Sequence, residues 1–269
     1  MENHYTRKQI LVSMGLLLAI IGGIYFYFST SDEQKRRDEL VVGTNVGYPP
    51  YVFTSEEGDI IGFDVDLARA IAQKLQKTLV LRSMSFDALI IAVKQARVDM
   101  IMGGISITPS REKEIALLPY HGDDINSFSL LFWEQVPPGI AQVRDIVERI
   151  KEPVIATQEG TTMADYLEQF ADKASIKVLG DIDELVMDIR YGKSIAALVE
   201  TPVAYKLQQM NPLLKVVTFS LNKEYRYAGD GIGFSKGNTV LLDSVRRVME
   251  KMKSSGEMKL LTDKWFGER

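Results

Sequence analysis

From Leu40 onward, short apolar runs alternate with stretches whose apolar residues recur at helical spacing. Leu40-Val41-Val42-Gly43 reads as a buried strand, and Thr78 to Arg82 and Asp99 to Gly103 as two more. Between them, Asp64 to Leu75 sets Val65, Ala68, Ile71, Ala72 and Leu75 on one stripe, as an amphipathic helix requires. Phe86 to Ala96 predicts a second helix. Thr108-Pro109 predicts a helix start, because a hydroxyl caps free N–H groups and proline suits the first helical position. The pattern then begins again. Val154 to Thr157, Ile176 to Leu179 and Ala196 to Val199 read as strands, interleaved with helices opening at Gly160-Thr161-Thr162, at Ile182 and at Pro202. The tail from Asn238 to Trp265 is helical, with a break near Ser254-Ser255-Gly256.

Strand–helix alternation of this kind predicts α/β units, each a sheet flanked by helices. The second unit ends well before the chain does, so the tail is expected to pack back on the first. That gives a discontinuous first lobe, residues 40–128 and 226–269, and a continuous second lobe, residues 129–225, after a leading segment 1–39. In that segment Arg7 and Lys8 precede an apolar run from Ile10 to Phe28, and a charged linker follows from Ser29 to Glu39. A basic flank before an apolar run is an export signal. The run is longer than the roughly 7–15 residues of an ordinary signal core and approaches the about 20 that span a bilayer. Tyr25-Phe26-Tyr27-Phe28 stands where a small-residue cleavage site is expected. An uncleaved anchor in the inner membrane is favoured over a removed signal, and both readings place the rest of the chain outside the cytoplasm.

The composition removes several kinds of chemistry. The chain has no cysteine, hence no disulfide and no thiolate site, and its net charge of -4 offers no basic excess for nucleic acid. Its two histidines, His4 and His121, sit in no metal or triad pattern, and no nucleophile elbow or Walker loop is present. Gly229-Asp230-Gly231-Ile232-Gly233 is glycine-rich but lacks the strand–turn–helix setting of a dinucleotide site, so it reads as a segment crossing back to the first lobe. No catalytic residue, metal ligand or cofactor is assigned.

Six short motifs then appear in order: Val42-Gly43-Thr44-Asn45-Val46-Gly47-Tyr48-Pro49-Pro50-Tyr51, Gly62-Phe63-Asp64-Val65-Asp66-Leu67-Ala68, Phe86-Asp87-Ala88-Leu89, Gly103-Gly104-Ile105-Ser106-Ile107-Thr108-Pro109-Ser110-Arg111, Gly160-Thr161-Thr162 and Lys264-Trp265-Phe266-Gly267. Together they resemble the amino-acid-binding periplasmic proteins of ABC importers, solute-binding protein family 3, and most of all its arginine- and glutamine-binding members. The resemblance implies the two-lobed type II periplasmic binding protein fold with hinge crossovers, and a monomer that captures a free amino acid and delivers it to the membrane subunits of an importer.

A free amino acid carries a carboxylate and an ammonium, and burying either without a partner costs several kcal/mol. Arg111 matches the family's carboxylate-binding arginine, and its planar fork suits that group; the bland alternative is a surface arginine paired with Glu114. Gly104 and Ser106 fall where the family runs backbone and hydroxyl against the ligand. Thr161 and Thr162 open a helix whose free N–H groups suit an anion. Glu200 ends a strand where the family places an acid against the ammonium. Tyr48 and Phe86 match two aromatics that sandwich the ligand side chain, with Tyr51 behind them. Asn45 departs from the aspartate of several members that bind cationic amino acids. With Gln158 it gives two amides at the side-chain end, which suit a carboxamide or a guanidinium, so glutamine and arginine are both expected ligands. Two other readings stand beside this one: a membrane-tethered amino-acid sensor, and a dehydratase built on the same fold.

Overall fold

The computed structural model describes residues 38–122 and 124–267, so the apolar run Ile10–Phe28 lies outside the described residues. The chain enters at β1 (Glu39–Thr44) and passes through a small hairpin of β2 (Phe53–Thr54) and β3 (Ile60–Ile61). It continues through α1 (Phe63–Lys74), β4 (Thr78–Ser83), α2 (Ala88–Lys94), β5 (Met100–Ile101), α3 (Pro109–Glu114) and β6 (Ala116–His121). A second run follows: β7 (Ser127–Trp133), α4 (Val143–Arg149), β8 (Val154–Gln158), α5 (Thr162–Glu168), β9 (Ser175–Leu179), α6 (Ile182–Arg190), β10 (Ala196–Glu200), α7 (Thr201–Met210) and β11 (Leu214–Ser220). The chain closes with β12 (Asp230–Phe234), α8 (Thr239–Ser255) and α9 (Glu257–Phe266).

Two five-stranded sheets result, in the orders β4-β1-β5-β12-β6 and β11-β7-β10-β8-β9. In the first, β1 runs parallel to β4 and β5, while β12 is antiparallel to β5 and β6. In the second, β8 is parallel to β9 and β10, and β7 is antiparallel to β10 and β11. Strands buried on both faces need near-continuous apolar runs, and Ala196 to Val199 is such a run, every residue of it buried.

Each sheet carries its own core. Leu40, Phe63, Leu67 and Ile71 of the first part pack with Ile232, Phe234, Val245 and Met249 of the tail. That contact is why the tail returns: the apolar stripe of α8 has its partner across β12 and α1. Phe128, Leu130, Ile155, Leu167 and Leu198 form the second core. A third apolar group joins Tyr48, Tyr51 and Val52 to Val199, Val203 and Leu185, and so ties the two sheets together. Among the described residues no helix is long and apolar enough to cross a membrane.

Two crossovers link the sheets, β6 to β7 and β11 to β12, and they touch at Gly122 and Gly229. Gly229 has φ +81°, and a Cβ there would lie 1.9 Å from the Gly122 carbonyl oxygen. Left-handed backbone and a backbone clash act together, so Gly229→Ala is expected to lower unfolding free energy by roughly 3 kcal/mol. Denaturant titration checks this; a midpoint equal to wild type would show that the crossover yields without strain.

Candidate functional site

Side chains at the ends of strands converge where the two sheets face each other, as ligand-binding residues do in open α/β sheets. From the first sheet come Asn45, just past β1, and Gly104 and Ser106, just past β5. Arg111 comes from α3. There Thr108 caps the helix, its hydroxyl accepting from the Arg111 N–H at 3.3 Å, and Pro109 takes the first turn. Cap and proline together fix where the arginine leaves the helix. From the second sheet come Gln158 at the end of β8, Thr161 at the cap of α5, and Glu200 at the end of β10.

Arg111 is not a surface arginine. It is 7 % exposed, and Glu114 pairs instead with Lys94. Its Nη1 donates to the Ser106 carbonyl at 2.9 Å and its Nη2 to the Gly160 carbonyl at 3.0 Å, the second bond crossing between the sheets. Its guanidinium also lies 5.4 Å from the Phe86 ring centroid, within range of a cation–π contact. Burial pulls its pKa down, against the nearby charge of Glu200, which supports the cation.

Glu200 is equally buried. It accepts from the Tyr227 hydroxyl at 2.7 Å and the Ser106 hydroxyl at 3.3 Å. Burial raises its pKa, opposed by these hydroxyls and by Arg111. A third bond joins the sheets at the other end of the site, where Gln158 Nε2 donates to Asn45 Oδ1 at 2.9 Å. Thus Asn45, Ser106, Arg111, Gln158 and Glu200 all take part in contacts across the seam.

Tyr48 is buried against Tyr51, with ring centroids 5.8 Å apart. Gly104 has φ +63°, and a Cβ there would stand 3.0 Å from the Tyr48 ring, so a side chain would crowd the aromatic wall. The Thr161 hydroxyl is engaged locally: it accepts from the Ala164 N–H at 3.3 Å and donates to the Gln158 carbonyl at 2.7 Å. The Thr162 hydroxyl points at the Met163 sulfur, 3.5 Å away. Neither threonine hydroxyl bonds across the seam; the Gly160 carbonyl does.

A set of buried acids and phenols behind the site was not assigned from sequence. Asp230, at the start of β12, pairs its backbone with Ser106 and accepts from the Tyr51 hydroxyl at 2.7 Å. Asp64, in α1, accepts from the Tyr120 hydroxyl at 3.1 Å and the Gly104 N–H at 3.2 Å. One oxygen of each acid, Oδ1, is buried without a partner. Burial raises Asp230 well above the usual carboxylate range, with Glu200 adding to the shift. The available signal was Asp230 itself, an acid between glycines entering an otherwise apolar strand.

Burial also lifts Asp64 from its ordinary 3.8 to about 7. The folded protein therefore keeps a proton that the unfolded chain releases, and stability falls as pH rises between those values. Above pH 7 the loss from this group is at most about 4 kcal/mol. Asp64→Asn is expected to flatten the decline between pH 5 and pH 8, measured as denaturation midpoints. An unchanged slope would mean that Asp64 is ionised throughout.

Among the described residues no group of three or more His, Cys, Asp or Glu side chains is placed to hold a metal ion. The arrangement offers one buried cation, one buried anion, hydroxyl and backbone donors and an aromatic wall, all between two lobes.

The chain is similar in sequence and fold to known proteins. The profile of bacterial extracellular solute-binding proteins, family 3, matches residues 40–268. The probable ABC transporter arginine-binding protein ArtJ of Chlamydia trachomatis is 35% identical over 230 residues, covering 85% of this chain and 86% of that protein. Among solved structures, a mutant of ArgBP from T. maritima superposes with a TM-score of 0.77 at 29% identity, covering 88% of this chain and 99% of that one. An ancestral arginine-binding protein bound to glutamine superposes with a TM-score of 0.75 at 28% identity, covering 86% and 99%. The α/β architecture, with its two sheets flanked by helices, is the type II periplasmic binding protein fold, and the chain belongs to the bacterial extracellular solute-binding proteins, family 3.

Proposed function

We propose that this protein captures a free amino acid, arginine or glutamine, between its two lobes and delivers it to the membrane subunits of an ABC importer. The observation that carries the reading is the burial of Arg111 and Glu200 at one seam, with bonds that cross it. A buried cation and a buried anion complement the two charges of an amino acid. The ligand carboxylate takes the Arg111 fork, joined by the Ser106 hydroxyl and the first N–H groups at Thr161 and Thr162. The ammonium takes Glu200. Tyr48 and Phe86 flank the side chain, Gly104 lets backbone approach it, and Asn45 and Gln158 meet its end. The first lobe is residues 40–128 and 226–269, the second residues 129–225.

The contacts also account for closure. In the seam Arg111 bonds to Gly160 and Ser106 to Glu200, so a ligand replacing these bonds touches both lobes at once. A ligand shifts an open–closed balance only by its differential affinity for the two states, and bridging supplies that difference; hinge closure in periplasmic binding proteins is a general pattern. The protein acts outside the cytoplasm, as a monomer, because one chain makes the whole site. Small-angle scattering with and without saturating ligand tests this. The radius of gyration is expected to fall on adding arginine or glutamine, with no dimer appearing. A profile unchanged by saturating ligand would count against capture by closure.

A further inference from the structure

We infer that a second cavity between the lobes binds a small aromatic carboxylate through Lys206, and that its occupant favours the same closed arrangement as the amino acid does. The site itself does not depend on the amino-acid reading above; the coupling between the two does.

The cavity measures about 550 Å³ and shares no lining residue with the cleft of Arg111 and Glu200. One wall is the start of α7, with Thr201, Pro202, Tyr205 and Lys206. The other belongs to the first lobe, with Pro50, His121 and the end of α9 from Lys264 to Gly267. Cavities of about 300–1,000 Å³ hold small organic molecules, and a single bare ion would not fill this one.

Charge and shape narrow the occupant. Two lysines line the cavity and, among the described residues, no aspartate or glutamate does. Lys264 is committed, because its Nζ stands 2.6 Å from Asp66 Oδ2. Lys206 pairs with no carboxylate among the described residues. It is partly buried, and its Nζ lies 6.0 Å from the Phe53 ring centroid on the opposite lobe. A partly buried ammonium without an anion gains from a ligand carboxylate. The walls are flat. The His121 and Phe266 rings stack with centroids 3.9 Å apart and 16° between their planes, and Trp265 stands edge-on to Phe53 at 5.9 Å. Rings pack well on such surfaces. A planar body carrying one carboxylate therefore complements the cavity, whereas a planar amine meets a lysine.

The coupling follows from position. The two walls come together while seam bonds such as Arg111 to Gly160 are made. An occupant touching both walls binds best in that arrangement and shifts the open–closed balance toward it. The two sites also share one helix start, because α7 begins at Thr201, next to Glu200.

Calorimetry of the full chain with indole-3-acetate as probe tests this, with tryptamine, the same ring bearing an amine, as the control. The carboxylate is expected to bind one-to-one with a Kd of about 1 mM or tighter, and tryptamine at least about 10-fold more weakly. Saturating arginine is expected to tighten the probe about five-fold or more, and saturating probe to tighten arginine by the same factor, because coupling is reciprocal. Lys206→Gln is expected to weaken the probe at least about 10-fold. Its arginine affinity without probe should equal wild type, which also shows that the variant is folded, and Lys206→Arg should keep the probe. No binding by about 10 mM, equal binding of tryptamine, wild-type probe affinity in Lys206→Gln, or simple competition between probe and arginine would overturn the site. A coupling factor of one would overturn the link to closure. Probe binding in a protein that takes neither arginine nor glutamine would leave the site standing and overturn the amino-acid reading together with the coupling.

Discussion

Replacing Arg111 by alanine is expected to weaken amino-acid binding by about 2–5 kcal/mol, because a buried ligand carboxylate then has no cation. At 25 °C that is a loss of roughly thirty-fold to several thousand-fold. The geometry explains why nothing nearby compensates. Arg111 reaches the seam from a capped, proline-started turn, and its fork touches the backbone of both lobes, at Ser106 and Gly160. A lysine carries the charge but not the planar pair of donors, so Arg111→Lys is expected to fall between wild type and alanine. Calorimetric titration reads both variants. An alanine variant within a few-fold of wild type would remove Arg111 from the site.

Glu200→Gln is expected to separate binding from stability. Glutamine keeps the shape but not the charge, so the ligand ammonium loses its anion and affinity falls by about 3 kcal/mol. The empty protein should move the other way. Burial raises the Glu200 pKa, so the folded state holds that proton to a higher pH than the unfolded chain does, and stability falls as pH rises from the ordinary carboxylate value through the raised one. Removing the acid removes this loss, and the variant should melt higher than wild type at pH 8 and the same or lower at pH 4. Thermal denaturation and titration on one preparation give both answers. Lower affinity together with lower stability at pH 8 would indicate a structural acid and no ammonium site.

Local chemistry made part of this legible in the sequence. Thr108-Pro109 marked a helix start because a cap and a fixed φ act within one turn, and α3 begins at Pro109. The break near Ser254-Ser255-Gly256 was visible because glycine takes left-handed backbone freely, and Gly256 separates α8 from α9 with φ +81°. The stripe expected over Asp64 to Leu75 is α1, Phe63–Lys74. Strand order was not legible. β12 lies between β5 and β6, and long-range pairing leaves no periodicity in the strand itself. The site divides in the same way. Arg111 and Glu200 stood out through motif resemblance, whereas Asp230 gains its setting only when β12 meets Ser106. Thr161 carried a cap signal, and its hydroxyl serves that cap; the bond across the seam comes from the Gly160 carbonyl, a group no sequence pattern distinguishes.

The most direct test of amino-acid capture is calorimetric titration of the protein against all twenty amino acids, after unfolding and refolding to strip carried-over ligand. Saturable one-to-one binding of arginine or glutamine, weakened by at least about thirty-fold in Arg111→Ala, is the predicted result. No heat from any of the twenty, with refolding confirmed by circular dichroism, would contradict it.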